Sequence, residues 1–246
     1  MVAEREAQAT RLRRAADIDP PAFWEERAGR FRRSVQRRAG QEDPIFDLVV
    51  AQVTINLTLL DVGVGMGRHV LPLSRRVEHV TAVEPSQAIR DFMAADAAEQ
   101  QVANLTVAGA DWQTADVAPA DVVLCSHVIY NVPEVGGFVD KLAAYALQHC
   151  IIAMRTGQRD QMLRGPFQQI HGEELIPEPV LVDLYNVVHQ RLGIAVNVQA
   201  MNFRRGAMPL GNYETLNEAI AALRGQLFVA EGSAGQVVYA HSCSSS

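Results

Sequence analysis

Short apolar runs alternate along this chain with segments of helical periodicity. Ile55 to Val62 is apolar up to Asp61 and reads as a buried strand. Gly63, Gly65 and Gly67 follow at every second position. Val70, Leu71, Leu73 and Val77 then recur at helical spacing, and that helix ends near Arg76. Pro72 fits there because it falls near the first turn. Val80 to Val83 forms a second run, after which Ser86 caps a helix carried by Ile89, Phe92, Met93 and Ala97. Leu105 to Ala108, Asp121 to Cys125 and Cys150 to Met154 read as three further strands. Val135, Phe138, Leu142 and Tyr145 mark the helix between the last two. Strands that are apolar on both faces and alternate with helices predict a parallel sheet covered by helices.

The rhythm changes after Arg155. Residues 156–178 are polar, hold Gly157, Gly165, Pro166, Gly172 and Pro177, and read as a long functional loop. Val180, Leu184, Val187, Val188 and Leu192 predict a helix closed by Gly193, and Ile194 to Val198 a sixth strand. Thr215 with Glu218 makes a capping box for a helix carried by Leu216, Ile220 and Leu223, and Gln236 to Ala240 reads as a last strand. At the other end, residues 1–18 look like a charged leader that forms a loose helix. Beyond Pro20 and Pro21, the residues Trp24, Ala28, Phe31 and Val35 line one helix face. The expected division is a helical arm over 1–40 and one domain over 41–246.

Composition narrows the function classes. The net charge is −6 over 246 residues, which gives no sign of a nucleic-acid surface. The first forty residues carry ten Arg against six acids, so the excess of acid lies in the remainder. Lys141 is the sole lysine. Three widely spaced cysteines fit neither a metal site nor a disulfide framework. The N-terminus is polar and no apolar stretch reaches membrane-span length, so a cytoplasmic protein is expected.

The chemistry gathers where the first strand meets its helix. Glycines in a strand-to-helix turn let the backbone turn tightly and lie against a ligand, and the free N–H groups of the helix start favour an anionic or polar group. The spacing is G-x-G-x-G, and Arg68 stands where a dinucleotide fingerprint would place its last glycine. Asp61 precedes the loop. Glu84 follows about twenty residues past the first glycine, where a ribose hydroxyl is usually read. The strand ends, taken together, offer Asp61, Glu84, Asp111, Trp112, Ser126, His127 and Tyr130 to one crevice.

Asp61-x-Gly63-x-Gly65-x-Gly67 together with Val83-Glu84-Pro85-Ser86 resembles the class I S-adenosylmethionine-dependent methyltransferases. The resemblance implies a Rossmann-like, doubly wound α/β fold: a seven-stranded sheet of order 3-2-1-4-5-7-6, its last two strands an antiparallel C-terminal hairpin. It implies S-adenosyl-L-methionine as cofactor, with Asp61 and the loop Gly63, Val64, Gly65 and Gly67 at the methionine end. Glu84, Pro85 and Ser86 would serve the ribose, Asp111 and Trp112 the adenine, and Ser126 would come from the fourth motif, Asp121 to Tyr130. His127 and Tyr130, with His171 from the 156–178 loop, are the candidate general bases for a hydroxyl acceptor. The N-terminal helix and that loop would face the acceptor as a lid. The partner expected is a small-molecule methyl acceptor, with no nucleic acid and no membrane; the oligomeric state is open. No D/N-P-P-Y motif is present, and His171 and Glu174 have no obvious further ligands, so no metal is expected. A nicotinamide-dependent oxidoreductase and a catalytically silent S-adenosylmethionine binder stay open as alternatives. Glycine spacing and Asp61 oppose the oxidoreductase.

Overall fold

Five parallel strands organise the larger part of the described chain. The structure, a computed structural model, describes residues 2–18, 42–158, 160–193, 195–201 and 215–229. The chain divides into a sheet unit, 27–157 with 180–204, and a helical unit, 1–26 with 158–179 and 205–246. Helix α1 (Val2–Ala15) belongs to the helical unit. The sheet unit begins with α2 (Pro44–Val50) and β1 (Thr58–Val62), and after the glycine loop comes α3 (Val70–Leu73) with a 3-10 turn to Arg76. There follow β2 (His79–Val83), α4 (Gln87–Glu99), β3 (Leu105–Ala108), β4 (Ala120–Ser126), α5 (Val135–Tyr145) and β5 (Ala146–Ala153).

The strand order is β3-β2-β1-β4-β5 and every pairing is parallel. Side-chain alternation along β1 shows why both faces are covered. Leu59 joins a core with Ile45, Val49, Val70, Leu73 and Met93, on the side of α2, α3 and α4. Leu60, one residue on, joins Trp112, Phe138, Leu142, Leu184 and Val188 on the other side. That second face is closed by α5 and by a later helix, Leu181–Leu192, which ends on Gly193 at φ +63 as its sequence predicts.

Helix α2 is a feature that periodicity does not reveal. Asp43 caps it, accepting from the N–H groups of Ile45 and Phe46, and Pro44 occupies its first position, where no N–H is needed. The first strand accordingly starts at Thr58, and Ile55 is an exposed turn residue. The expected sixth strand is not seen among the described residues: 195–198 have no regular structure. Their alternating pattern suits a strand, but no neighbouring strand pairs with them among the described residues, and an unpaired strand is not stable in water. The last expected strand, 236–240, and the stripe Trp24 to Val35 lie outside the described residues. The described sheet is therefore five-stranded and all parallel, in place of seven strands with an antiparallel hairpin.

In the helical unit, the middle of the segment read as a long loop, residues 161–171, is helical. It contains a 3-10 turn (Gln161–Leu163) and α6 (Arg164–His171), closed by Gly172 at φ +69. Pro166 falls in the first turn, so it costs no hydrogen bond. With α7 (Leu181–Leu192) assigned to the sheet unit, the remaining helix here is α8 (Leu216–Leu227), capped by the Thr215 hydroxyl as its capping box predicts. Phe167 is fully buried in a core with Leu12, Leu163, Leu175 and Leu227. Helix α1 is part of that core. Its Gln8 amide donates to the Glu174 carbonyl and accepts from the Ile176 N–H, while Arg5 donates to Asp160 at 2.6 Å. It is a packed helix rather than a loose leader. No helix among the described residues is long and apolar enough to cross a membrane.

Candidate functional site

The carboxyl ends of β1, β2 and β4 converge on the glycine loop. Gly63, Gly65 and Gly67 all take positive φ, +72, +56 and +75. That is the left-handed region where only glycine is free of strain. The loop is anchored by Gly63 and Val64, whose N–H groups donate to the Val83 carbonyl at 2.8 and 3.3 Å. Val128, just past β4, fills the space that a Cβ on Gly63 would need, at 2.3 Å. The loop and the segment after β4 are therefore fitted to each other.

Gly63→Ala is expected to cost roughly 2–5 kcal/mol. Left-handed backbone contributes about 1–2 kcal/mol and overpacking about 1–3 kcal/mol. Adding Val128→Ala should return the packing part and leave the backbone part. Urea unfolding of the single and double variants measures both. A Gly63→Ala variant as stable as the wild type would contradict this fit.

Two carboxylates face the loop. Glu84 is 6% exposed at the end of β2. Its Oε2 accepts from the Gly65 N–H at 3.1 Å and its Oε1 from the Ser86 N–H at 3.0 Å. Its own N–H donates to the Ala108 carbonyl of β3. Ser86 also caps α4, accepting from the Ile89 N–H, and Pro85 is exposed beside it. Asp61 is 3% exposed, and its carboxyl is pushed up to about 7. Burial is the largest cause; the neighbouring Glu84 adds to it, and His69 works against it.

A third acid, invisible to motif reasoning, secures the loop's exit. Asp43 Oδ2 lies 2.8 Å from Arg68 Nη2 and 3.0 Å from His69 Nε2. Burial alone would raise the Asp43 carboxyl. The His69 hydrogen bond and charge, Arg68 and the Phe46 N–H outweigh it and hold the group down at about 2. The residue at the missing fingerprint glycine thus ties the loop to the start of α2. The Asp43-Pro44 cap signal could have revealed the helix, though not its partners.

The other expected residues fall into distinct settings. Asp111 is exposed after β3, and its carbonyl accepts from the N–H groups of Thr114 and Ala115. The Trp112 indole is core: it packs edge-on against Phe138 and Tyr145 and donates to the Phe138 carbonyl at 3.2 Å. Its ring is committed to packing. Ser126, at the end of β4, has a buried Oγ with no hydrogen-bond partner. His127 follows in the left-handed region at φ +62, which is uncommon outside glycine. Its Nδ1 is 2.9 Å from the Tyr130 hydroxyl, which also accepts the Arg155 N–H at 2.7 Å. The Arg155 guanidinium lies over the Tyr130 ring at 3.9 Å. The structure thus brings His127 and Tyr130 together. His171 lies in the helical unit, where its Nε2–H donates to the Leu227 carbonyl at 2.7 Å and its ring rests on Phe167. That proton is already held, which favours a packing role for His171.

The comparisons with known proteins agree with this layout. The family described as a methyltransferase domain matches residues 60–147. An uncharacterized protein of Haemophilus influenzae is 27% identical over 210 residues, spanning 85% of this chain and 76% of that one. Among solved structures, magnesium protoporphyrin IX methyltransferase from Synechocystis, with bound S-adenosylhomocysteine, is 18% identical with a TM-score of 0.53, covering 68% of this chain and 84% of that one. It shows the shared fold. The YcgJ protein of Bacillus subtilis is 14% identical with a TM-score of 0.47, and the match covers 59% of this chain and 66% of that one. Over the stretch that the family matches, this chain is similar to methyltransferase domains. Residues 60–147, from β1 to the first residues of β5, carry the family's domain.

Proposed function

We propose that this protein methylates a small molecule at the crevice formed by the ends of β1, β2 and β4. The observation that carries this reading is the buried Glu84 carboxylate bonded to the Gly65 N–H, which makes the ribose acid and the glycine loop one continuous surface. The donor set fits the cofactor. Asp61 is a buried acid suited to the cationic methionine end. Gly63, Val64, Gly65 and Gly67 offer close backbone. Ser126 brings a buried hydroxyl that is still unpaired. Glu84, with Pro85 and Ser86 beside it, would hold the ribose, and Asp111 the adenine amine. Trp112 supports that end from the core.

When bound, S-adenosylmethionine supplies a methyl group already activated by its sulfonium. The protein's part is alignment of the acceptor behind that methyl. Held along Glu84 and the Gly63–Gly67 loop, the cofactor would give up its methyl to the acceptor, with the carbon–sulfur electron pair left on sulfur. For a hydroxyl acceptor, His127 paired with Tyr130 would take the proton. A small molecule is favoured over a polyanion by the net charge of −6. The cytoplasm is the compartment in this reading.

Calorimetry is expected to show binding of S-adenosylhomocysteine and no comparable binding of NADH or NADPH. An acceptor screen that reads S-adenosylhomocysteine formation then separates a working transferase from a silent binder. Tight nicotinamide binding with no response to S-adenosylhomocysteine would overturn the reading.

A further inference from the structure

The sole lysine of the chain stands beside the adenine end of the crevice. Lys141 lies on α5, and its Nζ donates to three backbone carbonyls of one turn: Trp112 at 2.7 Å, Ala115 at 2.8 Å and Gln113 at 3.3 Å. The same ammonium lies 4.5 Å from the Trp112 ring centroid and 5.3 Å from that of Tyr145. An ammonium has three N–H groups, and here each meets an oxygen. Three carbonyl dipoles aimed at one point repel each other unless a cation sits there.

The turn is also held from its inner side. The Asp111 carbonyl accepts from the Thr114 N–H at 3.0 Å, the Ala115 N–H at 2.8 Å and the Thr114 hydroxyl at 3.2 Å. The Trp112 indole is pinned to the Phe138 carbonyl, one turn before Lys141 on the same helix. These hydrogen bonds on residues 111–115 come from the turn itself or from α5, while Trp112 and Ala115 also pack in the core. Asp111, whose carboxylate is exposed, is the turn's leading residue.

Side-chain chemistry explains why this position is not arginine in so arginine-rich a chain. A guanidinium is a flat fork suited to carboxylates and phosphates. Three carbonyls gathered around one point call for a compact, tetrahedral donor.

We propose that Lys141 is a positioning residue that sets the Asp111 carboxylate for the exocyclic amine of the cofactor's adenine, and so determines base selectivity. The proposal rests on the cofactor reading above. It assigns the lysine no contact with the ligand. Its effect passes through the 111–115 turn.

The test compares S-adenosylhomocysteine with S-inosylhomocysteine, in which an oxygen replaces that amine. Dissociation constants are measured by calorimetry for the full-length wild type, K141M and K141R. Wild type is expected to prefer the adenosyl compound by about tenfold or more. K141M, which keeps the packed stem but loses the donors, should bring that ratio down to about two or less, with inosyl affinity unchanged within about twofold. K141R should lie nearer K141M than wild type. A folded K141M with the wild-type ratio overturns the proposal. So does loss of fold in both variants by circular dichroism, since Lys141 would then be a folding residue. Failure of wild type to bind either compound sinks the cofactor reading itself, and equal binding of both by wild type removes Asp111 from the adenine.

Discussion

Asp61→Asn is expected to make the free protein more stable at pH 8 and the cofactor complex weaker. The Asp61 carboxyl is raised to about 7, above its ordinary value of 3.8, first because burial penalises the carboxylate and then because Glu84 is close. A raised value means that the folded chain holds this proton more tightly than the unfolded chain. The stabilising effect is complete below about pH 4 and is lost as pH rises towards 7. Above pH 7 the folded protein keeps a carboxylate that burial disfavours. Three pK units correspond to about 4 kcal/mol, which is the ceiling for this effect. An amide keeps the shape without the charge, so Asp61→Asn should raise the unfolding midpoint at pH 8 by several degrees and change it little at pH 4.

Binding should move the other way. S-adenosylmethionine is cationic at its methionine end, and in the proposed site it favours the ionised Asp61. Its affinity should rise between pH 6 and pH 8, and binding at pH 7 should release about half a proton. Calorimetry at pH 7 in two buffers of different ionisation enthalpy counts that proton. In Asp61→Asn the count should fall to near zero and the affinity should drop at pH 8. A variant less stable than wild type at pH 8 would mean that burial is not what raises Asp61.

Glu84→Ala is expected to weaken S-adenosylhomocysteine by at least about tenfold, a loss of about 1.4 kcal/mol or more. A carboxylate has about four acceptor sites. In the structure two are used by the Gly65 and Ser86 N–H groups, so two are left for the ribose hydroxyls. Charge-assisted bonds of this kind contribute roughly 1.5–3 kcal/mol each. Removing the side chain also frees the Gly65 N–H and loosens the loop. Glutamine would not serve as a half-measure. Its amide NH2 must point at one of the two N–H donors, so Glu84→Gln should fall close to alanine. Asp111→Ala should cost less, because that carboxylate is exposed. Titration of the three variants, each shown folded by circular dichroism, gives the order. Wild-type affinity in Glu84→Ala would remove Glu84 from the ribose.

Much of the fold could be read along the chain because its causes are local. Apolar runs mark β1 to β4. Gly193 closes its helix and Thr215 opens one through φ and capping alone. The three loop glycines advertise a backbone that only glycine adopts freely, and the structure gives them positive φ. Glu84 was legible by its distance from that loop. The errors have local causes too. The glycines and prolines of 156–178 suggested a loop, yet Pro166 and Gly172 occupy the two ends of a helix, where they are tolerated. The strand pattern of 195–198 was real, but a strand needs a neighbour.

The sequence by itself determined the strand–loop–helix unit, its acids and the alternation that demands a helix-covered parallel sheet. Backbone conformation and side-chain periodicity act over a few residues, so both are written into the local order of the chain. Only the tertiary structure decided which charges meet. Asp43 reaches Arg68 and His69 from another helix, the Trp112 indole joins the core, and Lys141 gathers three carbonyls of a distant turn. Those pairings depend on distance in space, and hydrogen bonds and ion pairs act only across a few ångströms. Residues far apart in sequence acquire such partners only when the sheet and its helices have packed.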